Sequence, residues 1–246
     1  MDDRVPPYRE IPRQNPPPSR WAASFTLLFF TSLFVAFFLH SPLGKVETII
    51  IEGNVLVSER EILDGTRLKK GASFFRWDAR KAERVLEEMP EIDDATVDKD
   101  FPGTIRIHLR ESRLVALWKQ EDKLVPVLAN GQILTDRPWE EKAFAGPVLS
   151  DWEQGLEEGA ALARELGRLP RKRLEEISEI RPGVDPVYRD VVRVHTRQGH
   201  EVRLRIKGFH KKMELYPEFR HHPPGTLYLI DSIRFVPEHR GGEPVG

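Results

Sequence analysis

Nineteen consecutive uncharged residues, Trp21 to Leu39, constrain this chain more than any other feature of it. Within the run lie Phe25, Phe29, Phe30, Phe34, Phe37 and Phe38, together with Leu27, Leu28, Leu33, Leu39 and Val35. At roughly −0.3 to −0.6 kcal/mol each for insertion, these side chains supply about −3 to −7 kcal/mol, which outweighs Ser24, Thr26, Thr31 and Ser32. As an α-helix the run rises about 28 Å, close to the hydrocarbon thickness of a bilayer. A helix on the surface of a globular core would keep a polar side, and this one has none. The sequence therefore predicts a transmembrane helix over 21–39.

The flanks predict its orientation. Arg4, Arg9, Arg13 and Arg20 precede the run and only Lys45 follows it closely, so the basic side is expected in the cytoplasm and the long C-terminal portion outside it. A cleavable signal peptide is the rival reading. It would have a shorter apolar region and an A-x-A-like exit, whereas Phe38-Leu39-His40-Ser41-Pro42 offers no such small-residue pair. An uncleaved, single-pass anchor is expected. Residues 1–20 hold Pro6, Pro7, Pro12, Pro16, Pro17 and Pro18 and predict a disordered cytoplasmic tail, read as a spacer.

Charged residues make up 31 % of the chain and the formal net charge is −1, so no general field favours nucleic acid. Cysteine is absent, which excludes disulfides, thiolate metal sites and cysteine nucleophiles. Beyond the anchor, Val46 to Glu52 reads as a β-branched strand ended by Gly53-Asn54. Ser58-x-x-Glu61 is a capping box, and Asp78 can cap a second helix with Ala82, Val85, Leu86 and Met89 on one face. Ala95, Val97, Lys99 and Phe101 alternate with polar neighbours, as do Ile105, Ile107 and Leu109, around a Phe101-Pro102-Gly103-Thr104 turn. The order is β-α-α-β-β, with Arg106, His108 and Arg110 on a wet face.

From Arg113 onward the texture changes to strands and turns. Leu114–Lys119 and Leu124–Leu128 read as strands, Asn130-Gly131 as a hairpin turn, and Gly146–Leu149 as a short edge piece. Helices are predicted from Trp152 to Leu166 and from Arg171 to about Ile177. Val187–His195 and Glu201–Lys207 form a hairpin, Phe209 to about Tyr216 is helical, and Leu227–Ile230 and Ile233–Val236 are the last strands. Residues 238–246 read as a flexible tail. The expected fold class is α+β: a transmembrane helix, a β-α-α-β-β domain over 44–112, and a mixed, β-rich domain with a few helices over 113–237.

The stretch after the anchor resembles a POTRA domain, and the wider chain resembles the FtsQ/DivIB family of bacterial cell-division proteins. The likeness rests on Ile49-Ile50-Ile51-Glu52-Gly53-Asn54, Ser58 with Glu61-Ile62, and Gly71-Ala72-Ser73-Phe74-Phe75. It continues through Ala95-Thr96-Val97, Phe101-Pro102-Gly103-Thr104-Ile105, and Glu111 leading to Val115-Ala116, departing at Ser112 and Leu114, where the family often has arginine and proline. Asn130-Gly131, Pro147-Val148-Leu149, Gly199 with Val202-Leu204, Lys211-Lys212 and Asp231 to Pro237 resemble the family's β domain. The resemblance implies a division scaffold concentrated at the septum, docking FtsL-like and DivIC/FtsB-like partners.

No enzyme signature accompanies this. G-x-S-x-G, the phosphate-binding G-x-x-x-x-G-K-[ST] loop and H-E-x-x-H are all missing from the sequence. His210, His221 and His222 fit no standard metal spacing, and neither a cofactor nor a metal is expected. Arg164, Arg168, Arg171, Lys172 and Arg173 suggest at most a weak cell-wall contact, since Glu165, Glu175 and Glu176 interrupt them. Protein contact remains. A terminal strand leaves backbone N–H and C=O groups unpaired along its outer edge, where a partner strand can add. Ile230, Ile233, Phe235 and Val236 are apolar near that terminus and Tyr228 adds an aromatic anchor; the resemblance implies that Tyr228–Val236 is the principal partner-binding surface. The competing readings are a membrane-anchored extracytoplasmic wall-modifying enzyme and a polypeptide-handling export module.

Overall fold

The computed structural model describes residues 20–40, 44–139, 144–152 and 155–238. The two expected tails lie outside these residues except for Arg20 and Glu238. Helix α1, Arg20–His40, contains the one stretch among the described residues long and apolar enough to cross a membrane, Arg20–Phe38.

The first domain is built from β1 (Thr48–Glu52), α2 (Glu59–Thr66), α3 (Ala79–Glu87), β2 (Ile92–Asp100) and β3 (Thr104–Glu111). Strand β3 lies in the middle of the sheet, parallel to β1 and antiparallel to β2. The capping box forms as its spacing predicts: Glu61 N–H donates to Ser58 Oγ, and Ser58 N–H donates to Glu61 Oε2 at 2.9 Å. Asp78 Oδ1 caps α3 by accepting from Lys81 N–H. The helices bury Ile62, Ala82 and Leu86 against Val97, Ile105 and Ile107. On the opposite face Arg106 pairs with Glu52 and Asp100, and His108 Nδ1 lies 3.1 Å from Glu52. His108 is thus a solvated strand residue.

The second domain comprises β4 (Leu114–Gln120), β5 (Lys123–Leu128), β6 (Val148–Leu149), α4 (Leu156–Leu166), α5 (Arg171–Glu175), β7 (Ile177–Pro182), β8 (Val191–Thr196), β9 (Glu201–Arg205), α6 (Phe209–Met213), a 3₁₀ turn Tyr216–Glu218, β10 (Gly225–Tyr228) and β11 (Arg234–Pro237). They form one sheet in the order β11-β10-β9-β8-β7-β6-β4-β5. Its core packs Leu162, Leu166, Phe209, Met213 and Tyr216 from the helices with Ile177, Val192, Val194, Val202 and Leu204 from the strands. Arg193, His195, Arg203 and Arg205 take the alternate positions and stay partly exposed.

Several boundaries differ from the sequence reading. The Val148-Leu149 strand is not at an edge; it lies between β4 and β7, parallel to both, with Leu149 fully buried. The helix expected from Trp152 begins at Leu156, and Trp152 instead packs in the core with its indole N–H on the Ile180 carbonyl. Ile177 ends no helix: it opens β7, which pairs with β6 and β8. Val187 lies in an exposed loop held by the Asp185 carboxylate, so the strand starts only at Val191. The Asn130-Gly131 turn forms as expected, with Gln132 N–H donating to Asn130 Oδ1 at 3.0 Å.

A charged clasp joins the domains. Arg137 Nε lies 3.0 Å from the buried Glu91 carboxylate while its Nη2 reaches Glu61, and Asn130 Nδ2 donates to the Pro90 carbonyl and Asp93. Hydrogen bonds from Ser58, with the Arg137 charge nearby, hold the Glu61 carboxyl below its ordinary 4.5 against the opposing effect of burial. A carboxylate depressed in the folded state contributes stability above its unfolded pKa and loses it as pH falls through the folded one. The first domain's unfolding midpoint should therefore drop as pH falls below about 4.5. Calorimetry of Glu61→Gln should show a flatter acid profile, and an unaltered profile would remove this residue as the cause.

Candidate partner-docking edge

Every open sheet has two margins, and here they differ. Along β5 the chain covers its own edge: Leu128 N–H donates to the Gln132 carbonyl, Leu134 N–H to Pro126 and Trp139 N–H to Leu124. Along β11 the only strand partner among the described residues is β10. Antiparallel pairs alternate between bonded and non-bonded positions. Glu238 N–H donates to the Pro224 carbonyl at 2.9 Å, so the register makes Thr226–Val236 and Tyr228–Arg234 the bonded pairs. The N–H and C=O of Phe235, and the C=O of Pro237, then point outward. These are the groups a further strand requires.

The expected surface residues occupy different places. Phe235 is half-buried and turned toward the helices, its ring 5.0 Å from His222, 6.0 Å from His200 and 6.2 Å from Phe219 between centroids. Its neighbours along the strand, Arg234 and Val236, take the opposite face. Ile233 and Val236 are 59 % and 42 % exposed, and Ile230 is half-buried at the turn. Tyr228 sits on the wet face under two guanidinium groups, with Arg234 Cζ 4.6 Å and Arg203 Cζ 5.5 Å from its ring centre. The segment is thus an exposed apolar turn and strand with one ring, Phe235, rooted in the core.

Three side chains that the sequence reading did not select hold this segment in place. Lys212 Nζ donates to the Leu229 and Ile230 carbonyls, anchoring the approach to the turn. Tyr188 O–H donates to Asp231 at 3.0 Å, and that hydrogen bond pushes the Tyr188 phenol above its usual pKa. His200 is buried behind Phe235: its Nε2 donates to the His222 carbonyl at 3.0 Å, and its Nδ1 lies 2.9 Å from the Tyr216 hydroxyl. Lys211-Lys212 was visible as a pair, but only helix phase distinguishes the lysine that points at the turn. Charge-assisted hydrogen bonds of this kind contribute about 1.5–3 kcal/mol, less when partly exposed. Lys212→Met should raise amide exchange across 231–236 by about tenfold. Unchanged protection there would show that the lysine does not restrain the turn.

Other clusters are occupied among themselves. His210 Nδ1 lies 2.7 Å from Glu165, and Arg168, Arg171 and Arg173 pair with Glu165, Glu175 and Glu176. Among the described residues no group of three or more His, Asp or Glu side chains is placed to hold a metal ion. The cleft between the domains, about 500 Å³, carries Glu61 and Glu91, and Arg137 binds both.

These features define a class: an α+β chain with an apolar helix, a β-α-α-β-β domain, and a β domain whose last strand is open. Residues 44–112 match the family model for the POTRA domain, FtsQ-type, and residues 116–231 match that for the FtsQ/DivIB C-terminal region. The cell division protein DivIB of Geobacillus kaustophilus is 31% identical over 241 residues, covering 96% of this chain and 91% of that protein. DivIB of Bacillus subtilis is 28% identical, covering 88% and 81%. The solved major extracytoplasmic domain of DivIB from Geobacillus stearothermophilus has 30% identity and a TM-score of 0.41, over 44% of this chain and 90% of that one. The chain belongs to the FtsQ/DivIB family of cell division proteins.

Proposed function

We propose that this division protein is a non-enzymatic, single-span scaffold. Helix α1 holds it in the cell membrane with the arginine-bearing head in the cytoplasm, and both folded domains stand outside at the division septum. There the β11 edge accepts a strand from a DivIC/FtsB-type partner, and an FtsL-type protein completes the assembly. Raising the local concentration of these partners supports septum formation without any bond being made by the scaffold itself.

The observation that carries this reading is the asymmetry of the eight-stranded sheet: one margin is covered by residues 132–139 and the other presents the outward groups of Phe235 and Pro237. Ile233 and Val236 flank them as exposed apolar side chains that can choose among strands. Arg168, Arg171 and Arg173 are paired with Glu165, Glu175 and Glu176, which lowers the charge available to a wall polymer, so that contact stays secondary in the proposal.

Titration of the full chain, in nanodiscs, with the external segment of a DivIC-type protein tests the docking edge. By the alternation, Ile233→Pro removes an outward donor while leaving the bonded β10 pairs intact, and Val236→Asp places a charge beside the entering strand. Each should weaken binding about tenfold or more. Unchanged affinity in both variants, with amide exchange of β10 preserved, would exclude β11 as the receptor.

A further inference from the structure

The membrane-proximal end of the first domain carries more aromatic surface than its core requires. Phe74 is buried and serves that core, whereas Phe75 and Phe101 are 44 % and 57 % exposed. They come from separate segments, the loop after Gly71 and the β2–β3 turn, yet their ring centroids lie 6.3 Å apart. Phe38, near the end of α1, joins them at 5.6 Å from Phe75 and 6.3 Å from Phe101. The three rings form one continuous patch.

Phe38 closes the apolar stretch Arg20–Phe38, whose helical rise of about 28 Å matches the hydrocarbon layer. If α1 spans, Phe38 lies at the boundary between acyl chains and headgroups, and whatever touches its ring lies within a few ångströms of that plane. Lys45, Lys69, Lys70 and Arg76 are exposed on the neighbouring segments and make no ion pair among the described residues. Such side chains lay their stems along apolar surface and reach lipid phosphates. Glu47 and Asp78 are exposed here as well, so the rings rather than net charge supply the attraction.

We propose that Phe75 and Phe101 are a membrane seat: they insert into the headgroup–acyl boundary of the leaflet in which α1 ends, with phospholipid as the occupant. This rests on the anchor reading of α1 and adds to it a fixed stance of the first domain on the bilayer. Aromatic rings favour that boundary, and an apolar face with a basic surround binds it.

The absence of cysteine allows single-site labelling of the full chain. Phe75→Cys, Phe101→Cys, Phe30→Cys and Val184→Cys would each carry a nitroxide in phosphatidylethanolamine/phosphatidylglycerol nanodiscs. Relaxation by lipid-soluble oxygen is compared with relaxation by a water-soluble nickel chelate, after circular dichroism confirms each fold. The oxygen-to-nickel ratio at positions 75 and 101 should be several-fold above that at Val184, which is 98 % exposed, and should approach that at Phe30. Water-like ratios at 75 and 101 beside a lipid-like Phe30 would overturn the seat and leave the anchor standing. Exclusion of both reagents at 75 and 101 would mean that protein covers the patch, which also overturns it. An aqueous Phe30 would remove the anchor and the seat together.

Discussion

Gly53→Ala should destabilise the first domain by about 3–5 kcal/mol, a large share of the total stability of a small domain. Two costs coincide there. Gly53 has φ +90°, a conformation that side chains rarely adopt, and a β-carbon would meet the Leu109 carbonyl oxygen at 2.0 Å. That oxygen belongs to β3, the middle strand, so it cannot yield without disturbing the whole small sheet. Gly71→Ala is the matched control: φ is +84° but nothing lies within 4 Å of a built β-carbon, so only the backbone cost of about 1 kcal/mol applies. Thermal unfolding of the two variants, with limited proteolysis to locate the opened domain, separates the effects. Equal midpoints would show that the clash at β3 is relieved cheaply.

Gly159→Leu should cost the second domain about 2–4 kcal/mol by overpacking. On an exposed helix, replacing glycine with a better helix former would normally add stability. Gly159 is buried in α4, and its β-carbon would stand 2.1 Å from Trp118 Cζ3. Trp118 is itself buried and packs on Trp152 at 5.8 Å between centroids, so displacing its ring disturbs that packed pair. Gly65→Ala in α2 supplies the contrast, because its one tight contact is with the flexible end of Met89, and it should change stability by under about 1 kcal/mol. The Gly53 and Gly159 variants weaken different domains. If β11 is the receptor, Gly159→Leu should reduce partner binding while Gly53→Ala spares it, and a titration of both variants reads this directly.

The first domain was legible because each of its elements is amphipathic with one clear period. The Ser58–Glu61 box and the Ile105/Ile107/Leu109 alternation each determine an element and its buried side. The second domain was harder for specific reasons. Strand β6 has two residues, too few to show alternation, and its central place depends on parallel neighbours distant in sequence. Strand β7 reads Ile-Ser-Glu-Ile-Arg-Pro, whose polar positions resemble the continuation of α5 until pairing with β8 explains them. At the β11 edge the residues were visible but their direction was not. Whether Phe235 faces inward depends on the β10–β11 register, which no local pattern encodes. The contribution of Lys212 was hidden for a similar reason, since its target carbonyls at Leu229 and Ile230 carry no side-chain signal.

The one-sided closure of the large sheet gives the molecule a direction of growth. Because residues 132–139 cover the β5 side, β11 is the open margin among the described residues, and a further strand would add there. Two copies meeting through this ladder would have to face each other at β11, and each would thereby consume the other's vacancy. If β11 is the receptor, self-pairing and partner capture through that strand would be mutually exclusive.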